Sequence, residues 1–295
     1  MRIGITGATG FIGRHLLTAA RNAGNDVIGY SRRPAPRAGF VEMRAWQPVR
    51  EADFSGLDGL IHLAGENLLG LWTKKKRDSI YRSRVDDTRA LIARLRELPQ
   101  PPRVLVSAGG SSYYGDAGEG ELTEAAAPGS GFISEVARAW EEAAMKGSDF
   151  MRVVTMRTGV VLGADGGAVP ALRLLFKLAL GGRLGNGRQW MPWVHVTDLA
   201  RLFLFAVENE ALRGPVNGAA PGCVRNSDFT RSVAAAVNRP AIFPAPAFLL
   251  RLLPGGMGDI FLHSQRLVPE AAQAAGFAWL FPEISTATKD VFDPA

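Results

Sequence analysis

The sequence predicts an α/β fold, a doubly wound parallel sheet with a smaller C-terminal substrate lobe. Three observations carry that expectation. Through the first two thirds of the 295 residues, short apolar runs alternate with amphipathic helical patterns, the order that parallel strands joined by crossover helices require. The first strand runs straight into Gly7, Gly10 and Gly13, spaced three apart, and then into a helix. After Gly214 the alternation stops and proline becomes frequent, at Pro240, Pro244, Pro246, Pro254 and Pro269.

Each element has a local reason. Ile3 and Ile5 make Arg2–Thr6 a short apolar strand, and Phe11, Ile12, Leu16, Leu17 and Ala20 form one side of a helix over Phe11–Ala23 that stops near Gly24. Strands follow at Asp26–Tyr30, Gly59–Leu63, Arg103–Ser107, Arg152–Val161 and Trp193–Val196. A charged helix over Thr73–Arg82 leads into a helical pattern over Ser79–Glu97. Phe132, Val136, Trp140 and Ala143, spaced four, four and three, predict a helix over Phe132–Lys146 with a packing stripe. Further helices are expected at Val169–Leu180, from Leu199 with Asp198 as its cap, and at Ser227–Val237. The expected division is a dinucleotide-binding part at 1–164, to which 193–216 return, and a substrate lobe of 165–192 and 217–295 closing over the crevice.

The glycine spacing has a chemical reading. Gly7 permits a tight turn, Gly10 lets backbone N–H groups approach a phosphate, and Gly13 lets the helix lie close to the sheet. The helix start then offers unpaired N–H groups and partial positive charge to a diphosphate. Thr9, Phe11 and Ile12 complete that loop. GxxGxxG resembles the fingerprint of the short-chain dehydrogenase/reductase superfamily, and TGATGFIG resembles its extended, epimerase-like branch, which implies a Rossmann fold. After the second strand come Ser31, Arg32 and Arg33, where an NAD-preferring site would hold an acid for the ribose 2′-OH. A hydroxyl and a guanidinium suit a 2′-phosphate, so NADPH is expected over NADH.

Composition agrees. With 47 % hydrophobic residues the chain can bury a large core. One cysteine, Cys223, excludes an intramolecular disulfide and fits a reducing compartment. Met1 immediately before the first strand sets the expectation of no signal or transit peptide, and the longest apolar runs, such as Phe203 to Val207, fall short of the ~20 residues a membrane span needs. A cytoplasmic protein without membrane attachment is expected. The net charge of +6 draws attention to Lys74-Lys75-Lys76-Arg77, but a run of four at a helix start reads as a solvated face, and no nucleic-acid partner is expected. The expected partner is a small-molecule substrate, with a homodimer left open.

The strand ends carry the rest. After Gly59-Leu-Ile-His-Leu63 come Ala64, Gly65, Glu66 and Asn67, resembling the superfamily's HLAA segment and implying cofactor contact at Leu63, Ala64, Gly65 and Glu66, with Asn67 toward substrate. His62 reads as a packed strand residue. Ser83-Arg84 aligns with the superfamily's N-x-x-G-T helix and places Arg84 where an active-site asparagine sits. Ser107 leads into Gly109, Gly110, Ser111, Ser112, Tyr113 and Tyr114, resembling the segment whose serine binds substrate, with Ser111 or Ser112 as the replacement. The superfamily's Y-x-x-x-K pair falls on Phe132 and Val136, and no tyrosine follows Tyr114. The usual proton relay is absent. A substitute acid at Tyr113 or Tyr114, its pKa depressed by Arg84, is the expected alternative.

The order of HLAGEN, SRVDDTRAL, YYGD, ARAWEEAA, MRTGVVLG, GNGRQWMPWVHVTDLA, GPVNGAAP and SQRLVPEAAQAAGF resembles YfcH-type epimerase-family proteins, an atypical branch of the short-chain dehydrogenases, from Met1 to about Glu283. That family too carries phenylalanine at the tyrosine position. Arg157 and Gly159 end a strand where backbone can hold the nicotinamide amide. Arg188, Gln189 and Trp190 present a guanidinium, an amide and an indole that suit an oxygen-rich substrate. His195 reads as a crevice polar group. The histidines lack ligand spacing, so no metal is expected. The expected function is an NADP(H)-binding dehydrogenase or epimerase on a small polar or nucleotide-linked substrate; the alternative is an NADP(H)-sensing regulator of little catalysis.

Overall fold

A computed structural model describes residues 1–178 and 180–292. Its centre is a seven-stranded, fully parallel sheet of β1 (Arg2–Thr6), β2 (Asp26–Ser31), β3 (Glu42–Ala45), β4 (Gly59–His62), β5 (Val104–Gly110), β7 (Arg152–Thr158) and β11 (Gly214–Gly218). The strands lie in the order β11-β7-β5-β4-β1-β2-β3. The order reverses between β1 and β4, where Ile5 pairs with Ile61, and such a switch point opens a ligand crevice at the carboxyl ends of the strands.

Two strands of this sheet, β3 and β11, were not expected, and both are its edges. Interior strands of a parallel sheet are buried on both faces and read as apolar runs. The edge sequences Glu-Met-Arg-Ala and Gly-Pro-Val-Asn-Gly do not, and Pro215 is tolerated because an edge strand leaves one row of N–H groups unpaired. The expected strand Arg152–Val161 divides at Gly159. A Cβ there would lie 2.9 Å from the Pro192 carbonyl oxygen, so the chain turns away and Val160–Leu162 (β8) pairs instead with Trp193–His195 (β10). Two more ribbons follow, Glu121–Leu122 (β6) with Arg266–Leu267 (β13), and Trp190–Met191 (β9) with Val224–Arg225 (β12).

Helices cover both faces. On one, α1 (Phe11–Asn22) and α6 (Val196–Glu208) bury Leu16, Ala20, Leu199 and Phe203 against Ile3, Ile5, Val106 and Val154. On the other, α3 (Asp87–Arg96) and α4 (Phe132–Met145) bury Leu91, Leu95 and Ala144 against Ile28, Leu60, Leu105 and Val153. Each fully buried Leu, Ile or Phe contributes roughly 1.5–3 kcal/mol. The charged pattern before α3 forms α2 (Lys74–Tyr81) and a π turn, Arg82–Asp86. Helix α5 spans Val169–Lys177, and Ala179 of the expected helix lies outside the described residues. Helix α7 (Asn226–Ala236) packs against the C-terminal Ile284–Phe292 through Val233, Ala287 and Val291. No described helix is long and apolar enough to cross a membrane.

Candidate functional site

The loop between β1 and α1 is shaped by its glycines. Gly7 has φ +68°, and its N-terminal neighbour strand brings it so close to β4 that a Cβ would lie 3.0 Å from the Leu63 carbonyl carbon. A Cβ on Gly13 would sit 2.5 Å from the Gly7 oxygen and 2.8 Å from the Ala8 carbonyl carbon. No side chain fits there. Gly10 caps α1 without a side-chain hydrogen bond, and the first turn holds no acid. The N–H groups of that turn therefore remain available to an anion. Thr9 is half-buried beside them, and its carbonyl accepts from Arg14. The Phe11 side chain is covered from outside: a Cβ on Gly166 would lie 2.3 Å from its ring, and Asp165 on the same loop pairs with Arg14 at 3.0 Å and His15 at 2.8 Å.

The β4 end is fastened to this loop. Thr6 Oγ1 accepts the N–H groups of Leu63 (3.1 Å) and Ala64 (3.2 Å) and meets His62 Nδ1 at 2.8 Å, while His62 Nε2 meets Thr88 Oγ1 at 3.1 Å. Burial pushes the His62 imidazole down to about 3, so it is neutral and structural. The Glu66 N–H donates to Ser83 Oγ at 2.9 Å, and the Glu66 carboxylate pairs with Lys76 at 2.6 Å. Asn67 is exposed and turns the chain by accepting from the Leu69 N–H. Ser31 Oγ accepts from the Arg33 N–H at 3.3 Å, and Arg32 is exposed beside it.

Arg84 does not stand beside the tyrosines as expected. Its Nη1 donates to the Glu66 carbonyl at 2.9 Å, its guanidinium lies 5.2 Å from the Trp140 ring centre, and Gly65 packs against it. Burial lowers its pKa to about 10. The π turn that carries it widens the helix at this point, a feature frequent at functional sites.

Arg157 is the cation that meets the tyrosines. Its guanidinium carbon is 3.6 Å from the Tyr113 ring centre, and Nη1 donates to the Tyr114 hydroxyl at 2.8 Å. The Tyr114 hydroxyl donates toward Asn217 Oδ1 at 2.7 Å, with the Thr123 carbonyl at 3.1 Å as a second acceptor for the same proton. Burial pushes its pKa up to about 12 despite that guanidinium. This overturns the expectation of a depressed phenol: Tyr114 is a structural group, because removal from water outweighs the nearby charge. The Arg157 side chain is committed too, to Glu141 through bonds of 2.8 and 2.7 Å and to the Glu124 carbonyl. Its backbone lies inside β7, between β5 and β11.

Ser111, Ser112 and Tyr113 form a turn directly after β5, all half-buried. Among the described residues none of their hydroxyls has a hydrogen-bond partner. Ser107 is buried and donates to the Ala108 carbonyl. Phe132 and Val136 lie as expected on α4, but their surroundings were not legible. Val136 is buried with Trp72, Ile80 and Ile133, while Arg77 sits 4.0 Å from the centre of the Phe132 ring.

The GNGRQW turn is more committed than its sequence suggests. Gln189 Nε2 donates to the carbonyls of Leu184 and Phe261, both at 3.1 Å. Trp190 Nε1 donates to Glu119 at 3.0 Å, and Arg225 and Arg266 lie 4.4 and 4.8 Å from its ring centre. Hydrogen bonds from Arg225 and Trp190 hold the Glu119 carboxyl down to about 2. The Gln189 amide and Trp190 indole are thus engaged by groups of the protein itself, and Arg188 is the exposed group of the three. Asp198 does not cap α6. His195 Nδ1 does, accepting from the Thr197 N–H at 3.2 Å, while Asp198 accepts the N–H groups of Leu280 (2.9 Å) and Phe281 (2.8 Å). Among the described residues no group of acids, histidines and cysteine is arranged to hold a metal ion.

Residues 3–217, which include the glycine loop and the switch point of the parallel sheet, match the model of the NAD dependent epimerase/dehydratase family. The chain belongs to that family. Residues 245–291 match a further model, a domain of unknown function. The mouse epimerase family protein SDR39U1 is 36% identical over 296 residues, covering 99% of each chain, and the YfhF protein of Bacillus subtilis is 32% identical over 97% of this chain and 96% of its own. The crystal structure of the human SDR39U1 protein with NADPH superposes with TM-score 0.93 at 33% identity, covering 100% of both chains. The family resemblance read from the sequence motifs therefore holds end to end.

Proposed function

We propose that the protein is an NADP(H)-dependent oxidoreductase or epimerase acting on a small polar or nucleotide-linked substrate by a proton route without the tyrosine–lysine pair. The observation that carries this reading is the glycine-shaped loop at Gly7–Gly13, in a fold that has hydrocarbon at Phe132 and Val136. The dinucleotide, when bound, accepts or donates the hydride. Its diphosphate would rest on Gly7, Thr9, Gly10, Phe11, Ile12 and Gly13, and the absence of an acid after β2 at Ser31 and Arg32 supports a preference for the phosphorylated ribose. Leu63, Ala64, Gly65 and Glu66 would line the adenosine side, with Ser107 and the backbone of Arg157 and Gly159 toward the nicotinamide.

Arg84 packs over Trp140, one helical turn from Val136, which supports its supplying a charge toward the dinucleotide in place of that lysine, while the cation beside Tyr113 is Arg157. Tyr113 is the one phenol of the pair left without a partner among the described residues, and we assign it the proton exchange with substrate. Ser111, Ser112, Asn67 and Arg188 are the substrate-facing polar groups of this reading.

The test is NADPH oxidation by purified protein across a panel of carbonyl compounds and nucleoside-diphosphate sugars. Turnover lost in Tyr113→Phe, with NADPH affinity retained, is the expected result. The hydrocarbon at Phe132 and Val136 is also what favours the second reading, an NADP(H)-sensing regulatory protein; tight NADPH binding without turnover of any panel member would establish it in place of the first.

A further inference from the structure

The basic run Lys74-Lys75-Lys76-Arg77 divides its labour in the structure. Lys76 is taken by Glu66 at 2.6 Å, and Arg77 lies on the Phe132 ring. Lys74 and Lys75 do neither. They line a cavity of about 750 Å³ into which Arg32 and Arg82 also reach, at the carboxyl ends of β2 and β4. Among the described residues, none of these four cations has a carboxylate within ion-pair distance.

The acids in the same wall do not cancel that charge. Glu66 is already neutralised by Lys76 from outside the cavity. Asp87 is held by Gln47, whose Nε2 donates to its carboxyl at 3.1 Å, and burial raises its pKa from the ordinary carboxylate value. Asp78 and Asp87 remain, against four guanidinium or ammonium groups. Cations brought together without partners repel one another, an arrangement that an anionic ligand relieves. A phosphate monoester carries close to two charges and three acceptor oxygens, enough for several of them at once.

We propose that this cavity receives the 2′-phosphate of the dinucleotide's adenosine, and that Lys74, Lys75 and Arg82 share with Arg32 the selection of NADPH over NADH. The proposal rests on the NADP(H) reading above and extends it to α2 and the π turn, residues far from the fingerprint loop. Lys is suited here as a mobile point charge and Arg as a fork on two phosphate oxygens.

The experiment is calorimetric titration of the full chain with NADPH, NADH, 2′-AMP, 3′-AMP and 5′-AMP. Unmodified protein is expected to bind NADPH more tightly than NADH, and 2′-AMP more tightly than its two isomers. In the double variant Lys74→Glu/Lys75→Glu, and separately in Arg82→Glu, NADPH and 2′-AMP should weaken at least roughly tenfold while NADH stays within about twofold, as expected when only contacts to the extra phosphate are lost. Lys76→Gln, which leaves the Glu66 carboxylate in the same wall without its cation, should also weaken NADPH relative to NADH, by less than the double variant. Melting curves check that each variant folds, and Lys74→Ala/Lys75→Ala gives a milder second measurement. Equal weakening of NADPH and NADH, or no change in either while Arg32→Asp alone removes the preference, overturns the role of α2. Tightest binding of 3′-AMP overturns the assignment to the 2′ position. Unmodified protein with no preference for NADPH overturns the underlying reading itself, a result seen before any variant is made.

Discussion

Arg157 and Glu141 face each other in a two-point ion pair beneath the crevice, with Nε and Nη2 of the arginine 2.8 and 2.7 Å from the two carboxylate oxygens. The pair is largely out of solvent, 3% exposed on the arginine and 15% on the glutamate. From β7 the arginine also reaches Tyr114 and the Glu124 carbonyl, so one guanidinium ties β7, α4 and the turn after β5 together. Glu124 continues the link, its Oε1 accepting the N–H groups of Asn217 and Ala271. The floor on which Tyr113 rests is thus a single charged network.

Removing one partner of such a pair leaves an uncompensated buried charge. Glu141→Ala is expected to lower stability by about 3–5 kcal/mol, and Glu141→Gln by less because the amide oxygen still accepts one bond. Urea unfolding of the two variants against the unmodified protein measures both. A loss under ~1 kcal/mol for the alanine variant would show that the pair is solvated.

The two neighbouring tyrosines should separate cleanly. Tyr114→Phe removes a hydroxyl that serves Arg157, Asn217 and Thr123, so it is expected to cost about 1–3 kcal/mol of stability and leave NADPH affinity unchanged. Tyr113→Phe removes a hydroxyl without a partner among the described residues and should change stability by less than ~0.5 kcal/mol. Paired denaturation and NADPH titration curves check this. The reverse order of costs would exchange the two roles.

What the sequence disclosed follows from how many physical constraints act on one residue. Gly7 and Gly13 were legible because a positive φ and a contact under 3 Å leave glycine as the sole choice. The interior strands were legible because burial on both faces demands apolar runs, and the edges β3 and β11 were missed because it does not. Phe132 and Val136 could be read as packing from their helical spacing. Arg157 with Glu141, and Lys74 with Arg32, are pairings across separate elements, and no local pattern encodes them. The same holds for Asp198, whose position before a helix suggested a cap while its carboxylate in fact holds the chain at Leu280 and Phe281.

His62 supplies a pH dependence with a definite sign. Its pKa falls from 6.5 in the unfolded chain to about 3 in the fold, because burial between Thr6 and Thr88 disfavours the imidazolium. Between those values the unfolded state binds the proton and the native state does not. The contribution is therefore fully present above pH 6.5 and is lost as pH falls toward 3, by about 1.4 kcal/mol per unit and up to about 5 kcal/mol in all. Unfolding free energies across that acid range should decline less steeply in His62→Asn. An equal slope in both proteins would mean that other groups govern the acid limb.

The cradle itself is tested by Gly13→Ala. The added methyl would meet the Gly7 oxygen at 2.5 Å and the Ala8 carbonyl carbon at 2.8 Å, both backbone atoms that cannot rotate aside. Relief requires the β1–α1 loop to move outward, away from the position in which its N–H groups converge on a diphosphate. Overpacking of this kind costs roughly 1–3 kcal/mol. Because the strain falls on the loop rather than on the sheet, the expected result is folded protein, with an unchanged far-ultraviolet spectrum, that binds NADPH and NADH at least about tenfold more weakly alike. Gly24→Ala is the matched control, since a Cβ there meets nothing within 4 Å and its φ of +76° loads only the far end of α1. It should lower the melting temperature through backbone strain and leave both affinities in place. Equal loss of binding in the two variants would show that the effect travels through global stability and not through the shape of the loop.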